Sequence, residues 1–346
     1  GARDLARRHR VARVPRALSA AAPMRIAGVM IARNEEDILE ASIRHNLRQL
    51  DALTVVDHAS TDATPAILAA LAAEGLPIEP VRHEALAYEQ SKITTGHARR
   101  LLAAGADLCI PLDADEFLRM PSRAAFERTV AAADPAVHLA LPWLTYLPDF
   151  DAPDIVAGLR RARRKPVEFH DVYKVAVRRT FLDSPGAVVA RGNHAVVPEG
   201  EPAENPHALV PPDVAAVAHV PVRSVEQYTA KMIVGYLSRL LAGPFAGNAS
   251  IQFREAYASI LGGKPPGRGD LDAIAANYGV PREHWVDPAT IAWIEDPFLA
   301  DVALRHTPQR RPSPLAHLLA LGERVAAEVA RTTGGEFFRA ADKNAL

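Results

Sequence analysis

The sequence has a single cysteine, Cys109, so the chain cannot form an internal disulfide. An oxidising compartment is therefore not implied. Because Cys109 stands in an apolar stretch of strand length, we expect a small buried core residue rather than a nucleophile.

An excess of charge and long apolar runs are also missing. The formal net charge is −1, which argues against a protein-wide field for nucleic acid, and we expect no nucleic-acid partner. No stretch reaches the roughly 20 apolar residues of a transmembrane helix. A convincing signal peptide and repeats of solenoid period are not found. We expect a cytoplasmic protein, with peripheral contact at the inner face of the membrane as an alternative.

The length of 346 residues suffices for one large α/β domain and a smaller helical part. We expect a basic tail or linker over residues 1–23, the main domain over 24–223, and a mainly helical region over 224–346. The basic tail is predicted to be a solvated arm, with a membrane-surface or partner contact as the alternative.

From Met24 onward, apolar runs of strand length alternate with helical patterns. The predicted strands cover residues 25–32, 53–56, 78–81 and 106–112, and the predicted helices begin near residues 34, 60 and 89. This alternation with short connections predicts a parallel sheet with right-handed crossovers. Further on we expect strands over 137–143, 172–178 and 187–190, a proline-rich loop over 197–212, and a helix over 224–241.

The polar residues that follow the strands are the ones to examine, because ligands bind at the carboxyl ends of such sheets. The strongest motif is Asp113-Ala-Asp-Glu-Phe, directly after the fourth strand. Two carboxylates at this spacing can reach one hard divalent cation, which prefers oxygen ligands and bridges carboxylates to phosphates. An acidic loop or helix cap is the structural alternative.

Two further motifs follow the first and second strands. Asp57 ends the second strand, where its carboxylate can accept hydrogen bonds from a base or a ribose, while Ser60 and Asp62 fit the cap of the next helix. Arg33 and Glu35 follow the first strand and fit a nucleotide pocket; the alternative is simple capping by the segment 34–37.

The three motifs in this order resemble family 2 glycosyltransferases over roughly residues 24–235, in the subset whose metal motif reads Asp-x-Asp-Glu-Phe. The resemblance implies the GT-A fold, an α/β, Rossmann-like, mostly parallel mixed sheet flanked by helices, with a helical C-terminal extension. It also implies a nucleoside-diphosphate sugar donor and Mn²⁺ or Mg²⁺. Asp115 is then the direct metal ligand, Asp113 contacts ribose or metal-bound water, and Asp57 contacts the base. One departure is His58, where many members have a second acid.

The helix after residue 89 and the second half of the chain supply the remaining candidates. Lys92 is predicted to face phosphate, with a solvated helix face as the alternative. Similar folds bring a late histidine to the metal, and a neutral imidazole is a competent ligand, so His219 is predicted to complete the metal site. The basic run 160–165 fits either an anionic ligand or a solvated face.

An inverting transfer needs a general base for the acceptor hydroxyl. Glu168, Asp171 and His194 have the required chemistry, and the spacing does not choose among them. Asp171 and His194 are taken as the catalytic candidates, alongside the binding residues Arg33, Glu35, Asp57, Lys92 and Asp113 and the metal ligands Asp113, Asp115 and His219.

These observations favour sugar transfer from a nucleoside-diphosphate sugar to a hydroxyl of a glycan, lipid-linked or other acceptor. One alternative is a metal-dependent phosphoester hydrolase or nucleotidyltransferase that uses the same carboxylates with His194, His207 and His219. Another is a non-catalytic module that binds sugar nucleotide or glycan.

Overall fold

The computed structural model describes residues 11–13, 24–169, 172–198, 207–243, 251–299, 301–309 and 313–332. The strands are β1 (Val11–Arg13), β2 (Ile26–Ala32), β3 (Ala52–His58), β4 (Ile78–His83), β5 (Leu108–Asp113), β6 (Glu116–Arg119), β7 (His138–Leu147), β8 (Arg163–Arg164), β9 (Tyr173–Arg178), β10 (Ala187–Val189), β11 (Val196–Pro198), β12 (His207–Leu209), β13 (Ala216–His219) and β14 (Ile294–Glu295). The helices are α1 (Leu39–Asn46), α2 (Thr64–Ala73), α3 (Gln90–Ala103), α4 (Arg123–Ala132), α5 (Ile155–Leu159), α6 (Val225–Leu241), α7 (Ile251–Leu261), α8 (Leu271–Ala276) and α9 (Pro314–Thr332).

The first half of the chain forms a parallel sheet in the order β5-β2-β3-β4. Strand β2 is buried along its whole length, as expected of a central parallel strand covered on both faces. Met30 and Leu112 belong to the core on one face, while Val29 and Cys109 belong to the core on the other. The predicted burial of Cys109 is confirmed, since its side chain is fully buried.

The sheet continues beyond β5 with mixed polarity. Strand β9 runs antiparallel to both β5 and β7, and β12 runs parallel to β7. Strand β13 also pairs with β7, and it lies antiparallel to β6, which directly follows the acidic motif. The predicted fold class, a mostly parallel mixed α/β sheet flanked by helices, is confirmed.

Two local predictions were wrong. The segment 197–212 is not all loop, because β12 satisfies its backbone groups by pairing with β7 and β1. Helix α1 begins at Leu39 rather than near residue 34. Instead of capping a helix, Asn34 adopts a left-handed backbone with φ 55°. Its N–H donates to Ser60 Oγ and its Oδ1 accepts from Thr61 N–H, so the segment is a turn that ties two strand ends together.

Helix α8 and the segment 296–302 contact the basic run 160–165. Arg160 donates to the carbonyls of Leu299 and Val302, and Lys165 donates to the carbonyl of Ala276. Arg163 and Arg164 form ion pairs with Asp272 and Asp296. The run therefore holds later segments of the chain in place.

Of the predicted N-terminal tail, only residues 11–13 belong to the described ranges, and they form β1 beside β12. None of the helices in the described ranges is long and apolar enough to cross a membrane.

Candidate active site

A cavity of about 590 Å³ opens at the carboxyl ends of β2, β3 and β5. Its volume is typical of small-molecule sites, which span roughly 300–1,000 Å³. The opposite wall is one face of α6, which presents Lys231, Gly235 and Arg239 at a spacing of four residues. The predicted site residues that line the cavity are Arg33, Glu35, Asp113, Asp115, His194 and His219.

Asp113 is held at the cavity wall by two side chains from neighbouring elements. Gln90 Nε2 donates to its Oδ1 over 2.9 Å, and Lys174 Nζ donates to its Oδ2 over 3.0 Å. The same two side chains bind Gly192, because Gln90 Oε1 accepts from its N–H and Lys174 donates to its carbonyl. The acidic motif and the turn that carries His194 are therefore fixed to each other.

Glu116 is fully buried beside Asp113 and Lys174. It accepts a hydrogen bond from the Asp113 N–H, and its Oε1 lies 2.5 Å from Lys174 Nζ. Burial raises the pKa of Glu116 to about 8. The nearby carboxylates of Asp113 and Asp115 contribute to the rise. The ammonium group of Lys174 thus pairs with the carboxyl groups of both Asp113 and Glu116.

Asp115 is 2% exposed and faces three basic groups. It forms an ion pair with Lys231, its Oδ2 lies 3.6 Å from His219 Nε2, and it lies 3.9 Å from Arg223 Nη1. Burial opposes its ionisation, but the charge of Lys231 above all holds the pKa of Asp115 well below its usual range. Asp115 is therefore ionised at neutral pH.

Glu35 extends the same network. It forms ion pairs with Arg223 and with Lys231, and Arg223 is also paired with Asp37. Burial raises the pKa of Glu35, and the neighbouring carboxylates of Asp115 and Asp37 add to the effect. These ion pairs form two groups among the described residues. Lys174 pairs with Asp113 and Glu116, while Arg223 and Lys231 pair with Glu35, Asp37 and Asp115.

The donor chemistry of Asp113, Asp115 and His219 fits a divalent metal. His219 is neutral because burial lowers its pKa well below the usual value. Its Nδ1 is buried with no hydrogen-bond partner among the described residues. No set of three such side chains in the described ranges is already arranged as a metal site. The ammonium of Lys231 lies against Asp115.

His194 lines the cavity beside Trp143, with their ring centroids 6.2 Å apart. Its Nδ1 lies 2.7 Å from the carbonyl oxygen of Tyr173. A carbonyl can only accept, so Nδ1 carries the proton and Nε2 is an acceptor in the neutral ring. Gly192 has φ 80°, and a Cβ there would lie 2.5 Å from the His194 ring, so this turn requires glycine.

The structure does not bring all the predicted residues to the cavity. The carboxylate of Asp57 is buried, accepts from the Ser60 N–H and pairs with Arg82 from β4. The side chain of Lys92 is 77% exposed and pairs with Glu89. Neither residue lines the cavity. Asp171 lies outside the described residues.

The other predicted alternatives also have clear positions. Glu168 accepts from the N–H and hydroxyl of Thr145, so its carboxylate holds local structure. His207 Nε2 accepts from the Val196 N–H over 3.2 Å and does not line the cavity. The histidine set required by the hydrolase alternative is therefore not assembled around one cavity.

Several lining residues were not predicted from the sequence. Tyr88 precedes α3, Arg239 belongs to α6, and Phe253 belongs to α7. A signal for Arg239 was present, because it follows Lys231 by eight residues and shares a helix face with it. Tyr88 and Phe253 have no comparable pattern.

Comparisons with known proteins concern the segment that carries the motifs at the strand ends. Residues 29–120 match the family model described as Glycosyl transferase family 2. The match includes the strands and motifs from Arg33 to Asp115. The segment from β2 to β6 is therefore similar to the glycosyltransferase family 2 model. No curated protein matches the chain.

Solved structures with limited similarity include three that can be named. One is a mannosyltransferase from Pyrobaculum calidifontis in complex with GDP-Man and Mn²⁺, with 19% identity, 95% of this chain and 90% of that chain covered, and a TM-score of 0.38. Another is glucosyl-3-phosphoglycerate synthase from Mycobacterium tuberculosis with Mn²⁺, UDP and phosphoglyceric acid, with 24% identity, 27% and 34% coverage, and a TM-score of 0.21. A 4-diphosphocytidyl-2C-methyl-D-erythritol synthase has 16% identity, 47% and 77% coverage, and a TM-score of 0.27.

Proposed function

We propose that the protein transfers a sugar from a nucleoside-diphosphate sugar to a hydroxyl group of an acceptor, with Mn²⁺ or Mg²⁺ held by Asp113, Asp115 and His219. The observation that carries the proposal is the position of the two aspartates. Asp113 ends β5 and Asp115 follows it, within the segment that matches the glycosyltransferase family 2 model, and both line a cavity of ligand size.

The charges around the cavity suit such a donor. Asp113 and Asp115 at the strand ends supply the carboxylate oxygens that a hard divalent cation prefers. Arg33, Arg191 and Arg239 line the same cavity, and no ion pair joins them to a carboxylate of a described residue. A cationic wall beside an acidic metal site is complementary to a diphosphate. When bound, the metal supplies charge neutralisation for the departing diphosphate.

His194 is the general base in this proposal. The acceptor hydroxyl gives its proton to His194 Nε2 as its oxygen bonds to the anomeric carbon of the sugar. The bond from that carbon to the phosphate oxygen breaks, and the nucleoside diphosphate leaves with the electron pair. The hydrogen bond to the Tyr173 carbonyl keeps the proton on Nδ1 and orients the ring. Attack opposite the leaving group inverts the anomeric carbon.

A ligand screen tests the donor directly. Thermal unfolding is measured with UDP, GDP and their sugar conjugates, each with Mn²⁺ and with EDTA. A nucleotide that binds only the folded state at 100 times its Kd stabilises the protein by about 2.7 kcal/mol, so one base should give a clear rise in Tm with Mn²⁺. If no nucleotide raises the Tm under either condition, the proposed donor is wrong.

Replacing His194 with Gln should lower kcat while nucleotide binding stays unchanged. General-base catalysis contributes roughly 10²- to 10⁴-fold, and the loss should have that size with the acceptor found for the active donor. His306→Gln is the matched control, because His306 pairs with Glu74 and does not line the cavity. An undiminished kcat in His194→Gln would assign the base to another group, with Asp171 the remaining candidate from the sequence.

A further inference from the structure

Two arginines of the cavity wall lack the partners that buried charges normally have. Arg33 follows β2 and Arg239 lies on α6, and the Nε of each is buried with no hydrogen-bond partner among the described residues. Arg33 Nη1 donates to the carbonyl of Leu86, and Arg239 Nη1 donates to the carbonyl of Gly235. Neither guanidinium has an ion pair with a described carboxylate. Because buried charges are normally paired, this arrangement is suited to binding an anion.

Arg239 is held rigidly in this position. Its guanidinium carbon lies 4.3 Å from the ring centroid of Tyr88 and 3.7 Å from that of Phe253. The side chain is only 7% exposed. Gly235 allows the close approach, because a Cβ there would lie 2.4 Å from the Phe253 ring and 3.2 Å from Arg239 Nη1. Stacking of this kind fixes the plane of the guanidinium without using its hydrogen-bond donors.

The two arginines also act on each other. Burial, together with the charges of Arg324 and Arg239, lowers the pKa of Arg33 to about 10. Asp57 is the nearby carboxylate that opposes this effect, and its own ion pair is with Arg82. Like charges held together inside a cavity cost free energy that a bound anion recovers.

We infer that Arg33 and Arg239 form a clamp for the diphosphate of the donor, on the cavity wall beside the acidic metal site. The inference rests on the proposed function and extends it in two ways. Arg239 lies outside the segment 29–120, so the helical region after residue 224 supplies part of the donor site. The clamp also binds the anion without a metal, since its donors are guanidinium groups that are charged at neutral pH.

Calorimetry in EDTA tests the clamp without relying on activity. The probes are inorganic pyrophosphate, UDP and GDP, titrated into the full chain. We expect the wild-type protein to bind pyrophosphate. Arg33→Met and Arg239→Met should each bind it roughly 10- to 100-fold more weakly, because each variant loses charge-assisted hydrogen bonds to the anion. Methionine keeps an apolar stem between the rings. Arg268→Met is the matched control, because Arg268 pairs with Asp151 at the surface, and it should bind as wild type.

The Tm without ligand separates a binding role from a structural one. Removing one of two repelling charges should leave the Tm of the ligand-free variants unchanged or higher, whereas a purely structural arginine would lower it and leave anion affinity intact. Gly235→Ala should weaken pyrophosphate binding while both arginines remain. If nucleotide binds only with Mn²⁺ and Arg239→Met does not weaken it, the clamp is overturned and the proposed function stands. If no probe binds with or without Mn²⁺, both are overturned.

Discussion

Replacing Asp115 with Asn should abolish Mn²⁺-dependent nucleotide binding in a protein that still folds. The side chain is buried against Lys231 and His219, and the substitution keeps its shape while removing its charge. Metal stabilisation of a diphosphate amounts to several kcal/mol, and each 1.4 kcal/mol or so is tenfold in affinity. The loss should therefore be roughly 100- to 1,000-fold. Lys231 retains Glu35 as a partner, so the fold does not depend on this one charge.

The control for this variant is another paired aspartate. Asp296 forms ion pairs with Arg119 and Arg164 and does not line the cavity. Asp296→Asn should bind nucleotide and Mn²⁺ as wild type does, as measured by calorimetry and by the electron paramagnetic resonance signal of free Mn²⁺. If Asp115→Asn binds nucleotide with Mn²⁺ as tightly as the wild type does, Asp115 is not a metal ligand, whatever the Tm of the variant.

The parallel half of the fold could be predicted because its signals are local. Strands β2, β3 and β5 are short apolar runs, and each is followed by polar residues that the parallel arrangement brings to one edge. That logic predicts that Glu35, Asp113 and Asp115 lie around one site, and all three line the cavity. His219 joins them because β13 pairs with β6, which places His219 opposite Glu116; this pairing could not be deduced from spacing.

The remaining features depend on partners distant in the chain. Asp57 was predicted at the sheet edge, but Arg82 from β4 binds its carboxylate. The segment 34–37 reads as a helix cap, yet it is a turn, because the Asn34 N–H donates to Ser60 and the Asn34 side chain accepts from the Thr61 N–H. Strands as short as β8 and β14, of two residues each, have no periodicity to detect. Long-range side-chain bonds decide the first two cases, and the shortness of the strands decides the third.

Replacing Lys174 with Met should cause the largest loss of stability. Lys174 is buried and pairs with both Asp113 and Glu116, and removing one partner of a buried ion pair typically costs about 3–5 kcal/mol. We expect a loss of this size in the free energy of unfolding at pH 8, measured by urea denaturation. Lys264→Met, at an exposed position, should have little effect.

The pH dependence and a double variant test whether Glu116 accounts for the stability lost when Lys174 is replaced. The pKa of Glu116 is about 8 in the folded protein and near 4.5 when unfolded, so its protonation favours folding at low pH. This contribution is lost as pH rises from about 4.5 to 8. Without Lys174 the folded pKa of Glu116 rises further, so the variant should lose less stability at pH 5.5 than at pH 8. Glu116→Gln should make the stability less dependent on pH. The double variant with Lys174→Met and Glu116→Gln should regain part of the stability that Lys174→Met loses. Strictly additive effects of the two substitutions would show that Lys174 and Glu116 do not interact.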